Sequence, residues 1–262
     1  MGRSRQSYYK ILASQSKDIK DTEQLQSLVQ PIKHMMPRIG GRKLYFKLQP
    51  QLQQKAVKIG RDKFFRWLRD QGLLVNRKRS YVHTTQSNHR FWVYKNLIGD
   101  RVVTRPNQVW VSDITYIRTL EGFCYLALIT DAFSRKIVGY DISDSLELEG
   151  CRRALLMALR TTDDLSELIH HSDRGIQYCS NQYTQILQQH QIQISMAAQG
   201  NCYENALAER VNGILKDEFN LDTTFRNKQY AIMAVSQSIY IYNQHRPHWS
   251  IDLETPNQRH AA

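Results

Sequence analysis

From residue 108 onward the chain changes period. Val109, Val111, Asp113 and Thr115 alternate with Trp110, Ser112, Ile114 and Tyr116, the two-residue repeat of a strand. Glu121-Gly122 reads as a turn, Phe123 to Thr130 as a second strand and Lys136 to Ile142 as a third, so the three predict an antiparallel meander. Leu146 to Arg160 then takes helical spacing, with Leu155, Leu156 and Leu159 inward. A short strand follows at Leu168 to His171. After it come a helix at Asn181 to His190 (Tyr183, Ile186 and Leu187 on one side), a strand at Ile192 to Met196, and helices at Tyr203 to Phe219 and Lys228 to Tyr242. The order βββαβαβα predicts an α/β class with a mixed five-stranded sheet.

The first hundred residues show no such alternation. Residues 1–30 read as a basic tail and a short helix carrying Leu25, Leu28 and Val29. Two further helical patterns lie between residues 38 and 79. Leu44, Tyr45 and Leu48 share a face of the first. The second starts near Gly60-Arg61-Asp62, buries Phe64 with Trp67 or Leu68, has Phe65 alongside, and stops at Gly72, a C′ glycine. Two short helices, the second basic, predict a small all-helical domain of helix-turn-helix type. Residues 80–106 read as a basic, polar linker interrupted by Phe91, Trp92 and Tyr94, so part of it should pack down. The expected organisation is therefore a basic helical region (1–79), a linker (80–106), an α/β core (107–225), and a C-terminal helix and tail (226–262).

Charge sharpens this division. The 262 residues carry a formal net charge of +12, but residues 1–110 hold 23 Lys and Arg against 6 Asp and Glu, while residues 111–262 hold 13 against 18. A solvated surface does not need that asymmetry; a polyanion-binding first part and a carboxylate-concentrating second part do. Arg42, Lys43, Arg61, Lys63, Arg66, Arg69 and the run Arg77-Lys78-Arg79 are the expected phosphate contacts. No apolar stretch is long enough for a bilayer and no apolar signal core follows the start, so the expectation is a cytoplasmic protein associated with the nucleoid. Cys124, Cys151, Cys179 and Cys202 are scattered without a CxxC pair, which argues against structural zinc.

Three acidic residues carry the candidate chemistry. Asp113 interrupts an apolar strand, where a carboxylate needs a hydrogen-bonding partner or a cation. Asp173 ends a strand in Ser-Asp-Arg-Gly; ordinary turn chemistry is the alternative reading there. Glu209 lies on a helix whose Asn205, Asn212 and Lys216 fall at its i−4, i+3 and i+7 positions, a polar stripe opposed by Leu207, Val211, Ile214 and Leu215. Residues 174–208, 35 of them, separate the last two acids. Hard oxygen ligands on rigid elements suit a pair of divalent ions. His170 and His171 lack companions at ligand spacing and read as packing or outer-shell residues.

The segments WVSDITYI around Asp113, HSDRGIQY around Asp173, NALAERVNGILKDEF around Glu209 and the tail YNQHRPHWSIDLETPNQ closely resemble the OrfB part of transposases of the insertion-sequence-three family, within the DDE transposase and retroviral-integrase superfamily. The opening SRQSYYK and the basic helices near residues 38–79 are also similar to it. The resemblance implies an RNase H-like catalytic core, with Asp113, Asp173 and Glu209 as catalytic metal ligands for two Mg²⁺ or Mn²⁺ ions. It implies donor-end cleavage and strand transfer by phosphoryl transfer without a covalent enzyme intermediate. Lys216 matches the family's basic residue near the terminal phosphate, and Arg210, where relatives often carry a small or aromatic residue, offers a further DNA contact beside Asn212 and Asn205. Partners implied are double-stranded DNA (terminal repeats and target), a homo-oligomer on DNA, and an upstream OrfA, separate or fused by a frameshift. A DNA-binding regulator with an inert core and a metal-dependent nuclease are the competing functions.

Overall fold

The computed structural model describes residues 5–75, 92–99, 101–162, 164–198 and 206–262. The chain divides into two compact units, Met1–Lys78 and Arg79–Ala262.

The first unit is three helices. α1 (Arg5–Met35) runs 31 residues, far longer than the short helix expected, because it extends back through a polar stretch that shows no apolar spacing before Leu25 and on through Ile32. α2 (Gly41–Gln54) buries Leu44, Leu48 and Leu52, and α3 (Arg61–Asp70) buries Phe64, Trp67 and Leu68. Leu25, Leu28, Val29, Ile32, Met36 and Ile39 are buried as well. Tyr45 takes a side position, its hydroxyl donating to the Ile59 carbonyl at 3.0 Å. α3 stops where the sequence says it should. Gly72 has φ +65°, its N–H donates to Arg69 O, and the Leu73 N–H reaches back to Leu68 O, the paired bonds of a Schellman motif.

The second unit is a mixed sheet with helices on both faces. β1 (Val109–Thr119), β2 (Gly122–Asp131) and β3 (Ile137–Ser143) form the antiparallel meander. After α4 (Leu148–Arg160), β4 (Ile169–Ser172) lies parallel to β1. A one-turn α5 (Ile176–Cys179) and α6 (Asn181–Gln189) lead to β5 (Gln193–Met196), parallel to β4. The strand order is β3-β2-β1-β4-β5. The sheet has a sixth member that the sequence pattern misses. After α7 (Ala206–Glu218), the two-residue β6 (Thr224–Phe225) pairs with the far end of β1; two residues are too few for a period to register. α8 (Lys228–His245) and α9 (Pro256–Ala261) close the chain, α9 opened by a Thr255/Gln258 capping box with Pro256 in its first turn. This mixed sheet flanked by helices is an RNase H-like α/β fold preceded by helices.

Alternation along β1 sorts its neighbours. Trp110 enters the larger core with Ala127, Ile129 and Val138 against Ala154, Leu155 and Ala158 of α4 and Tyr183 and Leu187 of α6. Val109 and Val111 point the other way, into a smaller cluster with Ile169 and with Ala208 of α7. α4 sits so close to the sheet that a Cβ on Gly139 would come within 2.2 Å of the Ala154 carbonyl. Part of the expected linker belongs here: Val93 and Tyr94 pack on the larger core, and Ile98 and Val103 on the smaller. Trp92 does not pack down; it is 78% exposed. Phe91 lies outside the described residues.

The tail motif is an anchor for the sheet and for α7. The side-chain amide of Asn243 accepts from the Ile137 N–H at 3.0 Å and donates to the Ile137 carbonyl at 2.9 Å, and the Tyr242 hydroxyl donates to the Arg135 carbonyl. Arg246, 2% exposed, makes a two-pronged ion pair with Glu218 at the end of α7, 2.8 and 2.7 Å. Removing one partner of a buried pair strands the other charge. Arg246→Ala should therefore lower unfolding free energy by about 3–5 kcal/mol in urea titration, and Arg246→Met combined with Glu218→Leu should recover most of it.

Candidate active site

β1 and β4 run in register from Val109↔Ile169 to Ser112↔Ser172, and there β4 ends while β1 continues. β6 takes up the same edge only at Arg118. The edge of β1 is thus unpaired by strands between these points, and the residues immediately beyond the last paired serines are Asp113 and Asp173. Adjacent parallel strands lie about 4.8 Å apart, so strand pairing alone delivers both carboxylates to one opening.

Asp113 is tightly held. Its Oδ1 accepts from the Ile114 N–H at 2.9 Å and its Oδ2 from the Asn212 amide at 2.8 Å. Burial, then the negative charge of Asp173, push its pKa from 3.8 to about 7; the two hydrogen bonds oppose the rise and Glu209 adds to it. Asp173 Oδ1 accepts from the Gly175 N–H at 2.9 Å, so the turn chemistry anticipated for it is present as well. Glu209 lies in the first turn of α7, exposed, where the helix dipole favours a carboxylate.

The three acids share one electrostatic field but do not form a ligand set as they stand. Among the described residues, no three His, Cys, Asp or Glu side chains lie close enough to hold an ion. Mutual repulsion of like charges opposes convergence. The donor set nonetheless fits a hard divalent ion: it is all carboxylate oxygen, on strand ends and a helix start, and its repulsion is what a cation would relieve.

Asn212 corrects the expectation of a phosphate contact. It is buried, turned inward to Asp113, and its Oδ1 has no hydrogen-bond partner among the described residues. The i+3 spacing from Glu209 places it on the stripe, but at Asn212 the helix has turned that stripe onto β1, while Glu209 one turn earlier is exposed. Lys216, one turn further, stands over the Tyr116 ring at 4.1 Å from its centroid, with Phe123 edge-on to the ring. Burial lowers its pKa. Tyr116 gave no chemical signal in the sequence beyond its strand position. Arg210 is exposed, and Asn205 lies outside the described residues.

The two histidines lie on β4 just before Asp173 and point to opposite faces of the sheet. His170 Nε2 meets the Ser112 hydroxyl at 2.7 Å and the Tyr183 hydroxyl at 3.0 Å, and burial drives its pKa to about 3, so it is neutral. His171 Nδ1 meets the Ser195 hydroxyl at 2.9 Å, and Ser195 also accepts from the Leu97 N–H. These contacts tie β1, β4 and β5 beneath the two aspartates. In the first unit, Arg42, Arg61, Lys63, Arg66 and Arg69 are exposed, with Arg61 pairing Asp62 at 3.1 Å. Lys43 is a correction: it is buried, because α2 turns that position toward its packed face beside Leu44. Arg77, Lys78 and Arg79 lie outside the described residues.

Comparison with known proteins identifies the family. Two integrase core domain families match, over residues 103–202 and 190–256. An insertion element IS600 31 kDa protein of Shigella sonnei is 38% identical over 251 residues, 94% of this chain and 91% of that protein. A transposase InsF for insertion sequence IS3A of Escherichia coli K12 is 37% identical over 185 residues, 69% of this chain and 64% of that protein. The chain belongs to the insertion-sequence-three family of DDE transposases. Membership makes it an enzyme of the DDE polynucleotidyl-transferase class. The fold of this family member is also that of a chain in a simian T-cell lymphotropic virus intasome, determined by electron cryomicroscopy with a PP2A regulatory subunit. The TM-score is 0.53 at 18% identity, covering 92% of this chain and 74% of that one. Among the described residues no helix is long and apolar enough to cross a membrane.

The raised pKa of Asp113 has a thermodynamic sign. The folded state holds a proton that the unfolded chain releases near 3.8, so this contribution to stability is full below that value and is lost as pH rises toward about 7. In metal-free protein, Asp113→Asn should flatten the fall in melting temperature across that window and raise stability above it by about 1–3 kcal/mol. Added Mg²⁺ should raise the melting temperature of the parent protein and not of the variant.

Proposed function

We propose that this chain carries out metal-dependent donor-end cleavage and strand transfer of an insertion sequence, with Asp113, Asp173 and Glu209 as its catalytic carboxylates. The observation that carries this reading is the Asp113 carboxylate pushed to about 7 by burial and by Asp173 beside it, on a strand edge that opens where β4 ends. The three carboxylates would hold two Mg²⁺ or Mn²⁺ ions. When bound, such ions activate the attacking water or 3′-hydroxyl and stabilise the leaving 3′-oxygen. Asn212 fixes the Asp113 carboxylate in one orientation through its amide, and the Lys216 ammonium, resting on the Tyr116 ring, is offered to a flanking phosphate.

The substrate of this reading is double-stranded DNA, both element ends and target. Exposed Arg42, Arg61, Lys63, Arg66 and Arg69 of the helical unit supply phosphate contacts, and exposed Arg210 adds one near Glu209. Joining two ends requires both in one complex, which favours a homo-oligomer on DNA, with an OrfA partner or fusion supplying further end recognition. The place of action is the cytoplasm, at the nucleoid. The organisation proposed keeps a basic helical region to residue 79 and a catalytic core over 107–225, with the tail anchoring α7. A DNA-binding regulator with an inert core is the rival reading, and it draws on the separation of the three carboxylates.

A strand-transfer assay with element-end oligonucleotides and Mn²⁺ separates the two. The parent protein should join ends to target, and Asp113→Asn or Glu209→Gln should reduce joining by roughly a thousandfold or more while DNA binding stays intact. Wild-type joining by either variant would remove the triad assignment; binding without joining by the parent would favour the regulator.

Arg61→Ala, Arg66→Ala and Arg69→Ala should weaken duplex binding alike across sequences. Each that meets a phosphate should reduce the slope of log affinity against log salt by about 1, read by anisotropy titrations at several salt concentrations.

A further inference from the structure

A cleft of about 420 Å³ lies beside the carboxylate opening, on the same face of the sheet. Its floor is Val109 and Val111, the strand positions that share the face of Asp113, with Leu207 at the start of α7. Val111 precedes Asp113 by one pleat repeat, about 7 Å along the strand. α7 runs the length of both sites: Ala208 packs into the cluster of Val109 and Val111, and Asn212 reaches Asp113.

The walls are cationic. Arg101, Arg135 and Arg259 all line the cleft, and among the described residues no carboxylate does. Arg135 is half-buried, has φ +67°, donates from Nε to the Ser250 hydroxyl at 3.3 Å, and forms no ion pair among the described residues. Arg259 lies over the Phe133 ring, 4.6 Å from guanidinium to centroid, and its link to Glu254 is a long 3.6 Å. Guanidinium groups over an apolar floor, with one stacked on an aromatic ring, meet the two demands of a nucleotide: a phosphate to be paired and a flat base to be covered. An acidic peptide would use the guanidiniums but has no need of the stacked ring.

We propose that this cleft receives one unstacked nucleotide of the DNA strand adjoining the reacting phosphate. Its phosphate lies between Arg101 and Arg135, and its base lies on Val109, Val111 and Leu207 against the Phe133–Arg259 pair. The inference rests on reading the neighbouring carboxylates as a DNA strand-transfer site, and it adds a subsite that holds a displaced nucleotide beside it.

The test is fluorescence anisotropy of the full chain with a short fluorescein-labelled oligothymidylate, in chelator so that transfer chemistry plays no part. Arg135→Gln removes the charge and Ala132→Phe fills the cleft; each should weaken single-strand binding about tenfold. Duplex binding should change less than about twofold, since it draws on phosphate contacts elsewhere. Arg135→Lys should restore part of the loss. Unaltered single-strand binding in both variants, an equal loss for duplex, or stronger competition by polyglutamate than by unlabelled oligothymidylate would overturn the proposal. Should a variant fail to fold, photocrosslinking of a 5-iododeoxyuridine oligonucleotide to the parent protein decides: a crosslink on the Phe133 peptide supports the subsite, and crosslinks only elsewhere refute it. Loss of transfer in Asp113→Asn concerns the carboxylates alone, so the two readings fail separately.

Discussion

The site depends on the point at which two parallel strands part. β4 pairs β1 for four residues and stops at Ser172, opposite Ser112, while β1 runs on. The proposed catalytic aspartates lie just past that last pair. A carboxylate on each strand is thereby forced into the other's field, and the energetic consequence is visible in Asp113, whose pKa rises to about 7. The fold accepts this cost because the elements around the opening are fixed independently. Neutral His170 bridges Ser112 and Tyr183 below it, and α7 is held at its far end by the buried Arg246–Glu218 pair. An arrangement of like charges that destabilises its own fold is what the proposed cation site would show without its cation.

The second organising feature is α7, which runs alongside β1. Its successive turns address different tasks: Ala208 seals the apolar cluster, Asn212 orients Asp113, Lys216 rests on Tyr116, and Glu218 locks to the tail. The conspicuous tail sequence around Tyr242, Asn243 and Arg246 is thus explained as architecture. It binds the β3 backbone and the end of α7, the helix whose first turn carries Glu209.

Much of the second unit was legible because its strands alternate and its helices keep period. β1, β2, β3, α4, α6 and α8 lie within a few residues of their expected bounds, and Gly72 ends α3 as its position implied. What escaped the sequence has specific causes. α1 was cut short because its first twenty residues are polar and helical spacing is visible only from Leu25. β6 and the one-turn α5 are shorter than a repeat. Lys43 and Asn212 were read as exposed because residue type was allowed to outvote face. Lys43 sits beside Leu44 on the packed side of α2, and Asn212 lies on a stripe that faces a carboxylate. The three acids stand out by their sequence settings and the family resemblance, but spacing contains no distance, and that no three such side chains converge among the described residues is not readable from it.

The most direct examination of the central claim is anomalous diffraction at the manganese edge from crystals of the full chain grown with Mn²⁺. The account predicts density between Asp113 and Asp173, with Glu209 drawn in from the start of α7 to complete the coordination. Manganese bound only at unrelated carboxylates, with Asp113 and Asp173 left unliganded at saturating metal, would contradict it.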